Sequence, residues 1–81
     1  MSVFEQIRNI ASDLFEVSAD RITAASSPET VEAWDSIQHL NLVLALEEKF
    51  ELQLSPEDIE RMKTIGDVTK LVESKLEAMP R

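Results

Sequence analysis

The start of the chain carries apolar side chains at steps of three and four residues, the spacing that places them on one face of an α-helix. This pattern predicts an amphipathic first helix over about residues 2–17. Its apolar stripe comprises Val3, Phe4, Ile7, Ile10, Ala11 and Leu14.

The periodicity is lost over residues 18–34, a stretch that contains Pro28, three serines and two threonines. Hydroxyl side chains compete locally for backbone hydrogen bonds, so this stretch is predicted to be a loop. We expect Ile22 to insert from it into the core. Loops of this length are uncommon in compact domains and are often functional.

A second helix is predicted from the Asp35-Ser36 pair to about residue 50. Asp35 is suited to the N-cap position, with Gln38 three residues later as its capping-box partner. This helix is apolar on two sides, and we expect the third helix and the long loop to cover part of its second stripe. The alternative is that the stripe stays exposed beside Ser36. One face holds Leu42, Val43, Leu46 and Phe50, and the other holds Ile37, Leu40 and Leu44, flanked by Glu47 and Glu48.

Two more helix starts follow. Ser55 precedes Pro56 and two acids, which predicts a short third helix over about residues 56–62. Thr64 begins a fourth helix that ends before Pro80. The prediction is a single all-α domain over residues 1–81, a four-helix bundle with a short third helix and a long loop between helices 1 and 2. The apolar stripe of the fourth helix comprises Ile65, Val68, Leu71, Val72, Leu76 and Met79.

A chain of 81 residues buries one small core and cannot wall a deep substrate pocket, which disfavours self-sufficient catalysis. It has no cysteine and one histidine, so disulfides, thiolate chemistry and structural zinc are excluded, and no metal site is expected. No stretch approaches the ~18 apolar residues that span a bilayer. We expect a cytoplasmic monomer that does not insert into membranes.

The formal charge of −8 is concentrated in the middle of the chain. Between Glu29 and Glu60 there are nine acidic side chains and one basic side chain, Lys49, while the rest of the chain is balanced. Such a field repels nucleic acid and favours partners with basic surfaces. A solvated face without a partner would show the same pattern, and paired acids such as Glu57 and Asp58 would attract divalent cations weakly.

Ser36 falls in the first turn of the predicted second helix. A serine there is most often only a cap. The free N–H groups and the positive end of the helix dipole would nevertheless favour a phosphate attached to its hydroxyl.

The residues around Ser36 resemble the Asp-Ser-Leu attachment segment of acyl carrier proteins and the helix that follows it. The similarity extends over almost the whole chain in length, acidity, helix order and the long first loop. The segment that carries it is Trp34-Asp35-Ser36-Ile37, followed by Leu40, Leu42-Val43, Ala45-Leu46-Glu47-Glu48 and Phe50.

This resemblance implies that a phosphopantetheinyl transferase moves the 4'-phosphopantetheine arm of coenzyme A to the Ser36 hydroxyl, with help from Asp35. The thiol of the arm would then hold acyl groups as thioesters. Further partners would be an acyl-loading ligase or transferase and downstream acyl-processing enzymes. The expected partner-binding residues are Ile37, Leu40, Asn41, Leu44, Glu47 and Glu48.

Some residues depart from the pattern of carriers of general fatty-acid biosynthesis. Gln38, Asn41 and Lys49 stand where those carriers commonly have acids, and Trp34 is bulkier than the usual residue before the Asp-Ser pair. The departures indicate a dedicated carrier in lipid metabolism, polyketide biosynthesis or a related pathway. A carrier for an activated amino acid, of the aminoacyl or peptidyl type, is the alternative.

Two other function classes stay open. A hydrolase would use Ser36 as nucleophile with His39 one turn away, but no glycine-rich loop is present to bind an oxyanion, and His39 is better explained as a partly buried structural residue. An unmodified helical adaptor would bind partners through the same helix. Trp34 could be a core residue, an anchor for the loop or a contact near the arm, and we favour the anchor.

Overall fold

The computed structural model describes residues 2–78, and these residues form four α-helices and one short 3-10 helix, with no β-strand among them. The predicted all-α four-helix bundle with a short third helix is confirmed. Met79, placed at the end of the fourth apolar stripe, lies outside the described residues. The helices are α1 (Val3–Phe15), α2 (Ser36–Phe50), α3 (Pro56–Arg61) and α4 (Ile65–Ala78).

The helices begin at side-chain caps. The Ser55 hydroxyl accepts the Asp58 N–H at 3.2 Å, and the Asp58 carboxylate accepts the Ser55 N–H at 3.0 Å. This reciprocal capping box, together with Pro56 at the first helical position, allows α3 to form although it has only six residues. At the start of α4, the Thr64 hydroxyl accepts the Asp67 N–H at 3.0 Å, as the sequence predicted.

α1 ends at Phe15, two residues before the predicted end. Glu16 adopts a left-handed backbone conformation with φ of 54°, and its N–H bonds to the Ser12 carbonyl. Glu51 ends α2 in the same way, with φ of 52° and an N–H bond to the Glu47 carbonyl. These closures turn the chain away from the helix axis and satisfy carbonyls that the helices leave unpaired.

One hydrophobic core joins all four helices. The long loop contributes Ile22, as predicted, and also Trp34, which is only 2% exposed. Trp34 therefore belongs to the core as well as anchoring the end of the loop. The fully buried side chains include Ile7, Leu42, Leu46, Ile65, Val68 and Val72.

The long loop is held against the start of α4. It contains a 3-10 helix, Ala19–Arg21, which the sequence did not predict. The Ile65 N–H donates to the Ser26 carbonyl at 2.9 Å, and the Gly66 N–H donates to the Ala24 carbonyl at 2.8 Å. A Cβ atom on Gly66 would lie 3.0 Å from the Ala24 oxygen, so glycine permits this close approach. The loop thereby reaches the start of α2 along a defined path.

Candidate functional site

Ser36 is the first residue of α2 and lies exposed on the surface. Asp35 is the N-cap, with an extended backbone, and its carboxylate accepts the Gln38 N–H at 2.9 Å. Among residues 2–78, no hydrogen bond uses the backbone N–H of Ser36 or Ile37. These free donors and the positive end of the helix dipole would stabilise a phosphate on the Ser36 hydroxyl. The stabilisation expected at an exposed position is about 0.3–1 kcal/mol.

The second apolar stripe of α2 is exposed, so the expectation that α3 and the loop cover part of it is wrong. Ile37 is 71% exposed, Leu40 is 56% exposed and Leu44 is 62% exposed. The loop and α3 meet α2 along its His39 side instead. The stripe is a set of three large apolar side chains that are exposed to water beside Ser36.

The predicted capping box at the start of α2 is also wrong. The Gln38 side chain does not return to the N-cap. Its amide nitrogen donates to the Leu14 carbonyl at 3.2 Å, and its oxygen accepts from the Asn41 amide at 3.1 Å. The Leu14 carbonyl lies in the last turn of α1, where helix carbonyls lack partners, and Gln38 satisfies it across the α1–α2 contact.

The two acids predicted to bind partners occupy different environments. One Glu47 carboxylate oxygen accepts the Leu54 N–H at 2.9 Å, which ties α2 to the segment before α3. Glu48 is exposed, and no hydrogen bond or ion pair in residues 2–78 uses its carboxylate. Glu48 is therefore the freer of the two to meet a basic partner.

His39 joins three parts of the bundle. Its Nδ1 atom accepts the Trp34 indole N–H at 3.0 Å, and its Nε2 atom lies 3.1 Å from the Ile59 carbonyl oxygen of α3. The Trp34 ring also stacks on Phe15 of α1, with ring centroids 5.4 Å apart. The prediction of a partly buried structural histidine is confirmed.

An open groove of about 980 Å³ begins at Ser36 and runs between α2, α3 and the long loop. Sequence reasoning missed this groove, because its walls come from segments that are distant in the chain. Its lining includes Pro28, Trp34, Ser36, His39, Ile59 and Met62.

Comparison with known proteins agrees with this geometry. The family model described as the phosphopantetheine attachment site matches residues 5–72. The acyl carrier protein of Clostridium perfringens is 34% identical over 70 residues, covering 86% of this chain and 92% of that protein. This chain belongs to the acyl carrier protein family. The 4'-phosphopantetheine cofactor predicted for the chain is supported by the same match.

Solved acyl carrier proteins share the fold. The holo acyl carrier protein of Geobacter metallireducens superposes with a TM-score of 0.83 at 26% identity, covering 100% of this chain and 98% of that one. The holo protein of Nitrosomonas europaea has a TM-score of 0.83 at 29% identity, covering 95% of this chain and 99% of that one. The protein of Enterococcus faecalis has a TM-score of 0.75 at 29% identity, covering 93% and 99%.

In this acyl carrier protein, the hydrolase alternative finds no support in the contacts of Ser36. Both ring nitrogens of His39 are engaged by Trp34 and Ile59, so neither is paired with the Ser36 hydroxyl. The Asp35 carboxylate is used as a helix cap. In this arrangement His39 is not hydrogen-bonded to Ser36, which is the contact that the hydrolase alternative requires.

The acid pair on α3 of the carrier is not arranged as a metal site. Asp58 is 8% exposed and forms an ion pair of 2.7 Å with Lys75 of α4. Residues 2–78 contain no group of three or more side chains that could hold a metal ion. Each helix in the same part of the chain is too short or too polar to span a bilayer.

Proposed function

We propose that this protein carries acyl groups as thioesters on a 4'-phosphopantetheine arm attached to Ser36 and presents them to a succession of enzymes. The observation that carries the proposal is the exposed Ser36 hydroxyl at the start of α2, between the open groove and the exposed apolar stripe. A transferase can reach this hydroxyl without unfolding any part of the bundle. The protein itself performs no catalysis and is modified and loaded by other enzymes.

The arm supplies the thiol that forms the thioester, and the chain supplies its attachment point and surroundings. The phosphate would lie against the free N–H groups of Ser36 and Ile37, next to the positive end of the α2 dipole. Asp35 already uses one carboxylate oxygen to cap the helix, and its other oxygen is free to engage the transferase and its metal ion. The Asp35 cap fixes the start of the helix, and Ser36 is its first residue.

Partner enzymes would dock on the exposed stripe of Ile37, Leu40 and Leu44. A carrier must leave each partner, so a small apolar contact with a rim of exposed charges fits the need for transient binding, since exposed ion pairs contribute only ~0–1 kcal/mol. Glu48 and Asn41 lie at this rim, and both are exposed. Glu47 would take part with the carboxylate oxygen that does not accept the Leu54 N–H.

The partners are proposed to belong to a dedicated pathway, in lipid or polyketide metabolism, rather than to general fatty-acid biosynthesis. The side chains of Gln38 and Asn41 bond to each other where general carriers commonly have acids. A partner that selects this carrier would therefore contact the neutral side-chain amides of Gln38 and Asn41 beside the stripe. Loading with an amino acid is the alternative cargo, and cytoplasmic location and a monomeric state stay predictions.

The test is the intact mass of the protein after incubation with coenzyme A and a phosphopantetheinyl transferase. The parent and a Ser74→Ala control, altered at an exposed position on α4, should each gain one phosphopantetheine group. Ser36→Ala should remain folded and gain nothing. Modification of Ser36→Ala would refute the attachment site. No gain by the parent with several transferases would refute the carrier proposal and leave the unmodified adaptor, whose binding should survive Ser36→Ala.

A further inference from the structure

His39 is held in a single neutral tautomer by its two neighbours. The Trp34 indole N–H can only donate, so Nδ1 of His39 must present a lone pair to it. The Ile59 carbonyl can only accept, so Nε2 must carry the ring proton. The neutral ring with its proton on Nε2 satisfies both partners, and the other neutral tautomer satisfies neither.

These bonds lie in the wall of the groove beside Ser36. Trp34, His39 and Ile59 all line it, and they come from the long loop, α2 and α3 respectively. The Trp34 and His39 rings are nearly parallel, with centroids 5.9 Å apart and planes 22° apart. α3 has only six residues, and His39 contacts its backbone at the Ile59 carbonyl.

We propose that His39 forms a pH-dependent contact between Trp34 and α3, and that this contact sets the width of the groove beside Ser36. In the neutral form it joins Trp34 to α3. A proton taken from solvent by the Nδ1 lone pair creates a second ring N–H, which points at the indole N–H, so two donors face each other. The Trp34 bond is then lost while the Ile59 bond is kept, and the indole side of the groove loosens from α3.

Imidazole is the side chain whose charge ordinarily changes between about pH 5 and 8, so this contact is tested over that range. The charged groups that line the same groove are Glu29 and Asp35 from the loop, Glu60 from α3 and Lys63 after it. α1 presents the Phe15 ring to Trp34, and no titratable side chain of α4 lines the groove within residues 2–78.

The test uses the unmodified protein, so it is independent of whether Ser36 carries the arm. The ring nitrogens of His39 and the indole N–H of Trp34 are followed by nuclear magnetic resonance between about pH 8 and 5. Trp34 is the only tryptophan, so its fluorescence can be recorded in parallel. We expect the Nε2–H tautomer at high pH. The indole signal, the fluorescence and the amide signals of Ile59 and Met62 should shift with the same midpoint as the His39 ring.

Two variants sharpen the result. His39→Asn places an amide oxygen near the position of Nδ1. This oxygen can accept the hydrogen bond from the Trp34 indole N–H but cannot be protonated in this pH range, so the indole signal of the variant should not change with pH. Glu60→Gln removes a charge from the same groove and should keep the transition. An indole signal that ignores titration of the His39 ring, or a parent-like transition in His39→Asn, would overturn the proposal. If His39→Asn does not fold, the titration of the parent alone decides.

Discussion

The ion pair between Asp58 and Lys75 makes a quantitative prediction about how α3 is held. The hydrogen bond from Lys75, followed by that from the Ser55 N–H, lowers the pKa of Asp58 from 3.8 to about 2. A carboxyl group whose pKa is depressed in the folded state stabilises the fold at pH values above its unfolded pKa. That contribution is therefore complete near neutral pH and is lost as the pH falls from about 4 to about 2.

The magnitude follows from the same shift. One pKa unit corresponds to about 1.4 kcal/mol, so the full shift of Asp58 corresponds to about 2.5 kcal/mol. The Lys75 side chain is 34% exposed, and solvent screens the pair, so we expect a smaller contribution of about 1–2 kcal/mol. Asp58→Asn keeps an oxygen for the Ser55 N–H and removes the charge, so it isolates this contribution.

The assay is urea unfolding followed by circular dichroism, near pH 7 and in steps toward about pH 2. Asp58→Asn should lower the free energy of unfolding by about 1–2 kcal/mol near pH 7, and its difference from the parent should shrink as the solution is acidified. Glu60→Gln removes an equal charge from the same helix without breaking an ion pair and should have little effect. Equal stability of Asp58→Asn and the parent near pH 7, or a difference that does not change with pH, would refute the reasoning.

Three further outcomes are expected. Leu44→Ser should change the free energy of unfolding by no more than about 0.5 kcal/mol, because the side chain is exposed, but should slow modification by the transferase; an unchanged rate would count against the docking surface. Glu47→Ala should cost about 1–2 kcal/mol through the unpaired Leu54 N–H, and Glu48→Ala less than about 0.5 kcal/mol, measured by urea unfolding; equal losses would contradict this. Magnesium or modest salt should raise the melting temperature by relieving acidic repulsion, and a flat or falling value would contradict that interpretation of the charge.

The helices were predictable because their start signals are local. The Ser55-Pro56 pair and the Thr64 cap act within one turn, and the structure has each of them at a helix start. The end of α1 was less predictable, because the left-handed turn at Glu16 gives no strong signal when the residue is not glycine. The buried face of α2 followed from periodicity alone, since Leu42 and Leu46 are fully buried.

The surroundings of the site depend on contacts between distant segments, which a single sequence does not reveal. Gln38 was expected to close a capping box, but the Leu14 carbonyl, 24 residues away in the chain, offers its amide a partner. The same limit applies to the Ile59 carbonyl, which lies 20 residues from His39 in the chain and accepts a hydrogen bond from its ring. Local sequence patterns predict a hydrogen-bond partner for each polar side chain. The tertiary packing then determines which partner lies within hydrogen-bond distance.

The exposed stripe and the groove result from one packing choice. Trp34 is buried next to the start of α2, and His39 bonds to Trp34 and to the α3 backbone, which leaves Leu40 56% exposed at the edge of the groove. A six-residue helix is too short to cover both sides of a fifteen-residue one. The contacts that close the core along the His39 side of α2 therefore leave Ile37 and Leu44 open to partners, with Leu40 where the groove and the exposed stripe meet.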